Sequence, residues 1–82
     1  MSFEIEFKPK ALKDVEAMSS VEARRVIAKV EGLRDGLVGD IKRLTNFTPE
    51  YRLRVGNYRV LFELEDTRIV IYRGLHRKDA YR

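Results

Sequence analysis

Cysteine is absent from this 82-residue chain, which excludes a disulfide framework and any thiolate metal site and suits a reducing cytosol. Long apolar runs are also missing. The N-terminal stretch Phe3-Glu4-Ile5-Glu6-Phe7 places an acid after each of its first two apolar residues, so neither a signal peptide nor a membrane-spanning helix is expected, and no membrane contact. There is no internal repeat, low-complexity tract or linker, and a single domain is expected over residues 1–82. A chain of this size buries only about 60–65% of the surface its unfolded form exposes, so the core must be thin.

What is present is apolar residue in strongly periodic runs, at 44% of the chain, against a charged fraction of 37%. That combination describes a folded globule with a heavily charged surface. The charge is uneven. Up to Asp40 there are 7 basic and 8 acidic residues, and from Ile41 onward 10 and 5, which gives the whole chain its net +4. A basic half of this kind points to a polyanionic partner, because each neutralised phosphate releases counterions; a surface charged only for solubility would look the same by composition.

Phe3, Ile5 and Phe7 alternate with Glu4 and Glu6, the pattern of a half-buried strand that ends at Lys8-Pro9. Pro9 suits the first turn of a helix carrying Ala11, Leu12, Val15 and Met18. Ser19-Ser20-Val21-Glu22 has capping-box spacing and opens a second helix whose stripe is Ala23, Val26, Ile27, Val30 and Leu33, with Gly36 as its terminator. Residues 36–49 read as loop, pinned by Ile41 and Leu44, with Lys42 and Arg43 facing water.

From Tyr51 the period changes to two. Tyr51 to Val55, the turn Gly56-Asn57, Tyr58 to Glu65, the turn Asp66-Thr67 and Arg68 to Arg73 form a three-stranded antiparallel meander. Two-residue turns set the register: Val55 faces Tyr58, Arg54 faces Arg59 and Arg52 faces Leu61, while Leu64 faces Ile69, Phe62 faces Ile71 and Leu61 faces Tyr72. One sheet face is then apolar and ready to bury the helix stripes. The other carries Arg52, Arg54, Arg59, Glu63 and Arg68, with Leu61, Val70 and Tyr72 between them. The expected fold is α+β: a strand, two helices, the meander and a short C-terminal tail.

Arg54 directly opposite Arg59, with Arg52 two residues along the same face, is an arrangement that destabilises a sheet. Three clustered guanidiniums suit an absent anion, since arginine's planar fork matches phosphate oxygens and Tyr72 or Tyr81 would stack on a base. This reading requires that the forks converge and that carboxylates of the same chain do not neutralise them. The plainer alternative is a solvated basic face with Glu63 as its counterion. Beyond Arg73 the polar tail holds the sole histidine, His76, beside Arg77, and Tyr81 one residue from the end.

The segment Tyr51-Arg52-Leu53-Arg54-Val55-Gly56-Asn57-Tyr58-Arg59-Val60-Leu61-Phe62 together with His76-Arg77-Lys78-Asp79-Ala80-Tyr81-Arg82 resembles the RelE branch of the RelE/ParE toxin superfamily. Element order, length and basic charge agree over nearly the whole chain. The resemblance implies a cytoplasmic toxin that enters the ribosomal A site and cuts mRNA there: the substrate's 2′-hydroxyl attacks the adjacent phosphate, with no metal or cofactor required. By position, Arg59 would stabilise transition-state charge, Arg77 would assist the leaving group and Tyr81 would stack on the reactive nucleotide. Lys42, Arg43, Arg52, Arg54 and Tyr72 are the candidate substrate-binding residues. Arg52 and Arg54 stand where the best-studied family member carries lysines, and arginine does not give up its proton, so His76, Glu63 or ribosomal RNA groups are the candidates for the base.

The same resemblance implies two partners, a cognate RelB-like antitoxin and the ribosome with its message. It also admits a ParE-like toxin that inhibits DNA gyrase without nuclease chemistry. A noncatalytic RNA-binding module would use the same basic face.

Overall fold

The structure is a computed structural model that describes residues 2–44 and 48–80. Its elements are β1 (Glu4–Phe7), α1 (Pro9–Glu16), α2 (Ser20–Glu31), a short 3-10 turn (Gly32–Asp35), β2 (Ile41–Arg43), β3 (Tyr51–Val55), β4 (Tyr58–Glu65) and β5 (Arg68–His76). The strands form one five-stranded sheet in the order β1-β5-β4-β3-β2. β1 runs parallel to β5, and the other neighbours are antiparallel.

The capping box forms as the sequence predicts. Ser19 Oγ accepts from the Glu22 N–H at 3.2 Å and donates to Glu22 Oε1 at 3.1 Å, a cap that contributes about 1 kcal/mol. Val26, Val30 and Leu33 are buried at 1% exposure or less, while Ile27, on the margin of the stripe, is 43% exposed. Against the helices lies the apolar sheet face, where Leu53, Val55, Val60, Phe62, Ile69 and Ile71 form the core and Tyr51, Tyr58 and Leu64 pack at its edge. Tyr51 stacks on Phe62 with ring centroids 5.4 Å apart.

The first hairpin has the expected register from Val55↔Tyr58 to Arg52↔Leu61. Gly56 takes φ 57° in its turn, a conformation that glycine adopts without the Cβ penalty.

Three features differ from the sequence reading. First, residues 41–43 are not loop but a short edge strand, Ile41↔Leu53 to Arg43↔Tyr51; three residues are too few to establish a period. Second, a bulge falls between Leu61 and Phe62, so Leu61 faces Arg73 rather than Tyr72, which becomes the extra residue. Third, β5 continues to His76, so the first residues assigned to the tail are strand.

That extension matters because β1 stops pairing at Phe7↔Ile71 and leaves the next part of β5 with an open edge. α1 closes it. Asp14 accepts from the Gly74 N–H at 2.9 Å and from Arg73 Nε and Nη2 at 2.8 and 3.1 Å. Gly74 permits the approach, since a Cβ there would stand 3.3 Å from Met18 Cε. Burial by itself raises the Asp14 carboxyl pKa, but the hydrogen bonds from Arg73 and Gly74 and the charges of Arg73 and Lys10 outweigh it and hold the group below its ordinary range.

Candidate nucleic-acid site

The sheet face away from the helices is built in rows, because side chains alternate along each strand and the ladder aligns them across strands. One row is Lys42, Arg52, Leu61 and Arg73; the next is Arg54, Arg59 and Leu75. Toward the other end the rows turn acidic, with Glu63 and Glu6 flanking Val70, then Glu65 and Glu4 flanking Arg68. The face is therefore polarised: cationic beside the Gly56-Asn57 turn, carboxylate-rich beside the Asp66-Thr67 turn.

Arg54 and Arg59 do face each other directly. The forks do not all point the same way. Arg59 Nη1 reaches back to the hairpin and donates to the carbonyls of Gly56 and Tyr58, each at 3.0 Å. Its Nε is buried and finds no acceptor among the described residues, a deficit of about 1–3 kcal/mol that an incoming acceptor would relieve. The expectation of no internal carboxylate fails in part: Asp40 lies 3.5 Å from Arg52 Nη2 and 3.6 Å from Arg54 Nε. Those separations exceed the 2.7–2.9 Å typical of charge-assisted hydrogen bonds. Asp40 thus lies near two guanidiniums, and Arg59 and Lys42 add charge beside them.

Arg77 joins this group through the backbone. Its N–H donates to Asn57 O at 2.8 Å, which seats it beside the turn whose Gly56 carbonyl Arg59 holds. Arg43 stands apart, paired with Glu50 at 2.7 Å on the sheet edge.

His76 is placed on the helix side of the sheet, opposite Tyr58 in register, with its ring edge-on to Tyr58 at 5.5 Å. Its Nδ1 accepts from the Lys78 N–H at 3.3 Å, so in the neutral imidazole the proton sits on Nε2.

The Tyr72 backbone lies at the Leu61/Phe62 bulge, but its hydroxyl turns away from Arg59 and donates to Glu65 Oε2 at 3.5 Å, at the opposite end of β4. Burial, then the charges of Glu65 and Glu63, the hydrogen bond to Glu65 and the charge of Glu6 raise its phenol pKa. Its ring lies under Lys8 Nζ at 5.6 Å. Tyr81 lies outside the described residues. Glu63 occupies the acidic end of the face, four residues along β4 from Arg59.

Sequence reasoning missed Asp40. Its position follows only from the observed edge strand: extending the Ile41↔Leu53 register by one sets Asp40 opposite Arg54.

A cationic hairpin on a strand–helix–helix–sheet scaffold has known relatives. A family model for the ParE toxin of the type II toxin-antitoxin system parDE matches residues 5–81. The chain belongs to the RelE/ParE toxin family. Over 42 residues, 51% of this chain and 48% of the relative, the toxin is 45% identical to Toxin RelE3 of Methanocaldococcus jannaschii, so that match spans about half the relative's length. Over 98% of its length it is 32% identical to a candidate toxin of the same organism, RelE1, of which the match covers 94%. Among solved structures it is similar to the RelB-RelE antitoxin-toxin complex from Methanococcus jannaschii, with a TM-score of 0.78 and 30% identity over 93% of this chain and 94% of that one. This is a type II toxin, and its α+β fold is that of the RelE structures, with the meander widened to a five-stranded sheet by β1 and β2.

Proposed function

We propose that this toxin is a ribosome-dependent endoribonuclease that cuts mRNA in the A site. The observation that carries the reading is the meeting of Arg54, Arg59 and Arg77 at one hairpin turn, with Arg52 and Lys42 in the adjoining row. In the reaction the 2′-oxygen forms a bond to the adjacent phosphorus as the bond to the 5′-oxygen breaks. The products are a 2′,3′-cyclic phosphate and a free 5′-hydroxyl. Arg59 stabilises the charge that develops on the phosphorane-like centre. Arg77 assists the departing 5′-oxygen, Tyr81 stacks on the reactive nucleotide, and Arg52, Arg54 and Lys42 hold flanking phosphates. None of these arginines gives up a proton, so the acceptor is His76, Glu63 or a group of the ribosomal RNA.

The similarity to RelB-RelE complexes supports a cognate antitoxin. An acidic and apolar antitoxin segment complements the cationic end of the sheet face, and toxin and antitoxin act in the cytoplasm, where the ribosomes are.

One observation favours a second reading. The matching family model bears the name ParE, and a ParE-like toxin would inhibit DNA gyrase and leave RNA intact. Incubating the toxin with translating ribosomes, with naked RNA and with gyrase separates the two. Cuts confined to translated message support the nuclease; inhibited supercoiling with intact RNA supports the alternative and defeats the nuclease reading.

A further inference from the structure

Behind the Gly56-Asn57 turn, on the helix side, lies a cavity of ≈ 250 Å³ lined by Glu22, Arg25, Val26, Val55, Gly56, Asn57 and Tyr58. It is slightly smaller than pockets for drug-sized ligands, about 300–1,000 Å³, which suits a single ring system. None of the sheet-face arginines discussed above lines it. Its walls carry opposite charges that do not meet. Glu22 and Arg25 have the i,i+3 spacing at which acid and base commonly pair on a helix, yet among the described residues Arg25 forms no ion pair.

The reason is geometric. Glu22 Oε1 is held by Ser19 Oγ at 3.1 Å and by the Tyr58 hydroxyl at 3.5 Å, while Arg25 Nη1 lies against the turn, 3.3 Å from where a Cβ on Gly56 would stand. Burial, and then the charge and hydrogen bond of Glu22, raise the Tyr58 phenol pKa, so the phenol remains a donor. The turn carbonyls are occupied, Gly56 O by Arg59 and Asn57 O by Arg77. The cavity lining thus brings together a carboxylate acceptor, Glu22, and a guanidinium donor, Arg25.

We propose that this cavity is a guanine pocket that selects a nucleotide next to the cut, an inference that rests on the RNA-cleaving reading. Guanine presents acceptors, O6 and N7, that an arginine fork takes bidentately, and on the neighbouring edge the donors N1–H and N2–H₂, which a carboxylate accepts. No other base offers paired acceptors beside paired donors in that order. A single-stranded message running over the hairpin would place its phosphates on the Arg54, Arg59 and Arg77 side and tuck one base behind the turn.

The test is an NMR titration of the whole toxin with the RNA pentamers UUGUU, UUAUU, UUCUU and UUUUU, each 2′-deoxy at the second nucleotide to block cleavage. The G pentamer binds about tenfold or more tighter than the rest, the scale of one bidentate base contact, and shifts the amide signals of Glu22, Gly56 and Asn57. Glu22→Gln and Arg25→Lys each remove the preference. Ser19→Ala, which loses the cap on the same carboxylate but keeps the carboxylate, retains it. Equal affinity for all four pentamers, none binding included, or a preference that survives Glu22→Gln, overturns the pocket. Cleavage is read separately on translating ribosomes: if Glu22→Gln still cuts but no longer favours G, both readings stand. A toxin that prefers the G pentamer yet leaves translated message whole keeps the pocket and loses the nuclease.

Discussion

Arg54 stands directly opposite Arg59 across the β3–β4 pair, a position where a carboxylate or a threonine would stabilise the sheet. The molecule offsets this only partly, with Asp40 near Arg52 and Arg54 and with backbone carbonyls under Arg59. Retaining two guanidiniums in that register fits a surface that meets phosphate, and it fixes where substitutions will be informative.

Arg59→Ala removes the group that carries transition-state charge. Ribosome-dependent cleavage falls by about 100-fold or more, the scale of losing one preorganised donor, and growth arrest disappears while antitoxin binding persists. Single-turnover cleavage alongside an antitoxin pull-down checks it; undiminished cutting by folded Arg59→Ala removes this residue from the mechanism.

Tyr81→Ala lowers the rate of cutting more than the affinity for ribosomes, because loss of stacking misplaces the reactive nucleotide without removing phosphate contacts. Equal losses in both measurements would make Tyr81 a docking residue.

Asp40→Asn removes the carboxylate beside Arg54 and lets that guanidinium engage RNA. Affinity for a single-stranded oligonucleotide rises several-fold, and the plot of log affinity against log salt steepens by up to about 0.7 for each additional phosphate engaged. An unchanged slope in a fluorescence titration would show that Asp40 does not modulate the face.

Asp14→Ala opens the β5 edge where α1 closes it. The loss is about 1–2 kcal/mol, at the lower end for hydrogen bonds to a charged group because Arg73 is 38% exposed, and it lowers the melting temperature by roughly 4–8 °C per kcal/mol. The Asp14 pKa is lowered by folding, so the contribution is complete above the unfolded carboxyl range and fades as pH falls through the folded value. Melting curves at neutral pH and near pH 2 check this: the gap between wild type and Asp14→Ala narrows in acid, and a constant gap contradicts it.

Periodicity made the core and the first hairpin legible. Val26 and Val30 on the helix, Leu33 in the 3-10 turn that follows it, and Leu53, Val60 and Phe62 on the strands are buried where their spacing placed them, because a buried face leaves only one register open. The bulge at Tyr72 was not legible, since an extra residue shifts the phase of a strand without altering its composition. The Tyr72 hydroxyl turns to Glu65 at the acidic end of the face, and the unexpected length of β5 carried His76 to the helix side. The placing of Arg54, Arg59 and Arg77 beside one turn was half visible: the Arg54↔Arg59 pairing follows from turn length, but the Arg77 N–H bond to Asn57 depends on β5 running three residues beyond the predicted stop.

The most direct test is to map the ends of message recovered after the toxin is induced in growing cells. The account predicts cuts in phase with the reading frame, 5′-hydroxyl downstream ends, and their disappearance in Arg59→Ala. Cuts scattered without regard to frame, or whole message from arrested cells, would contradict it.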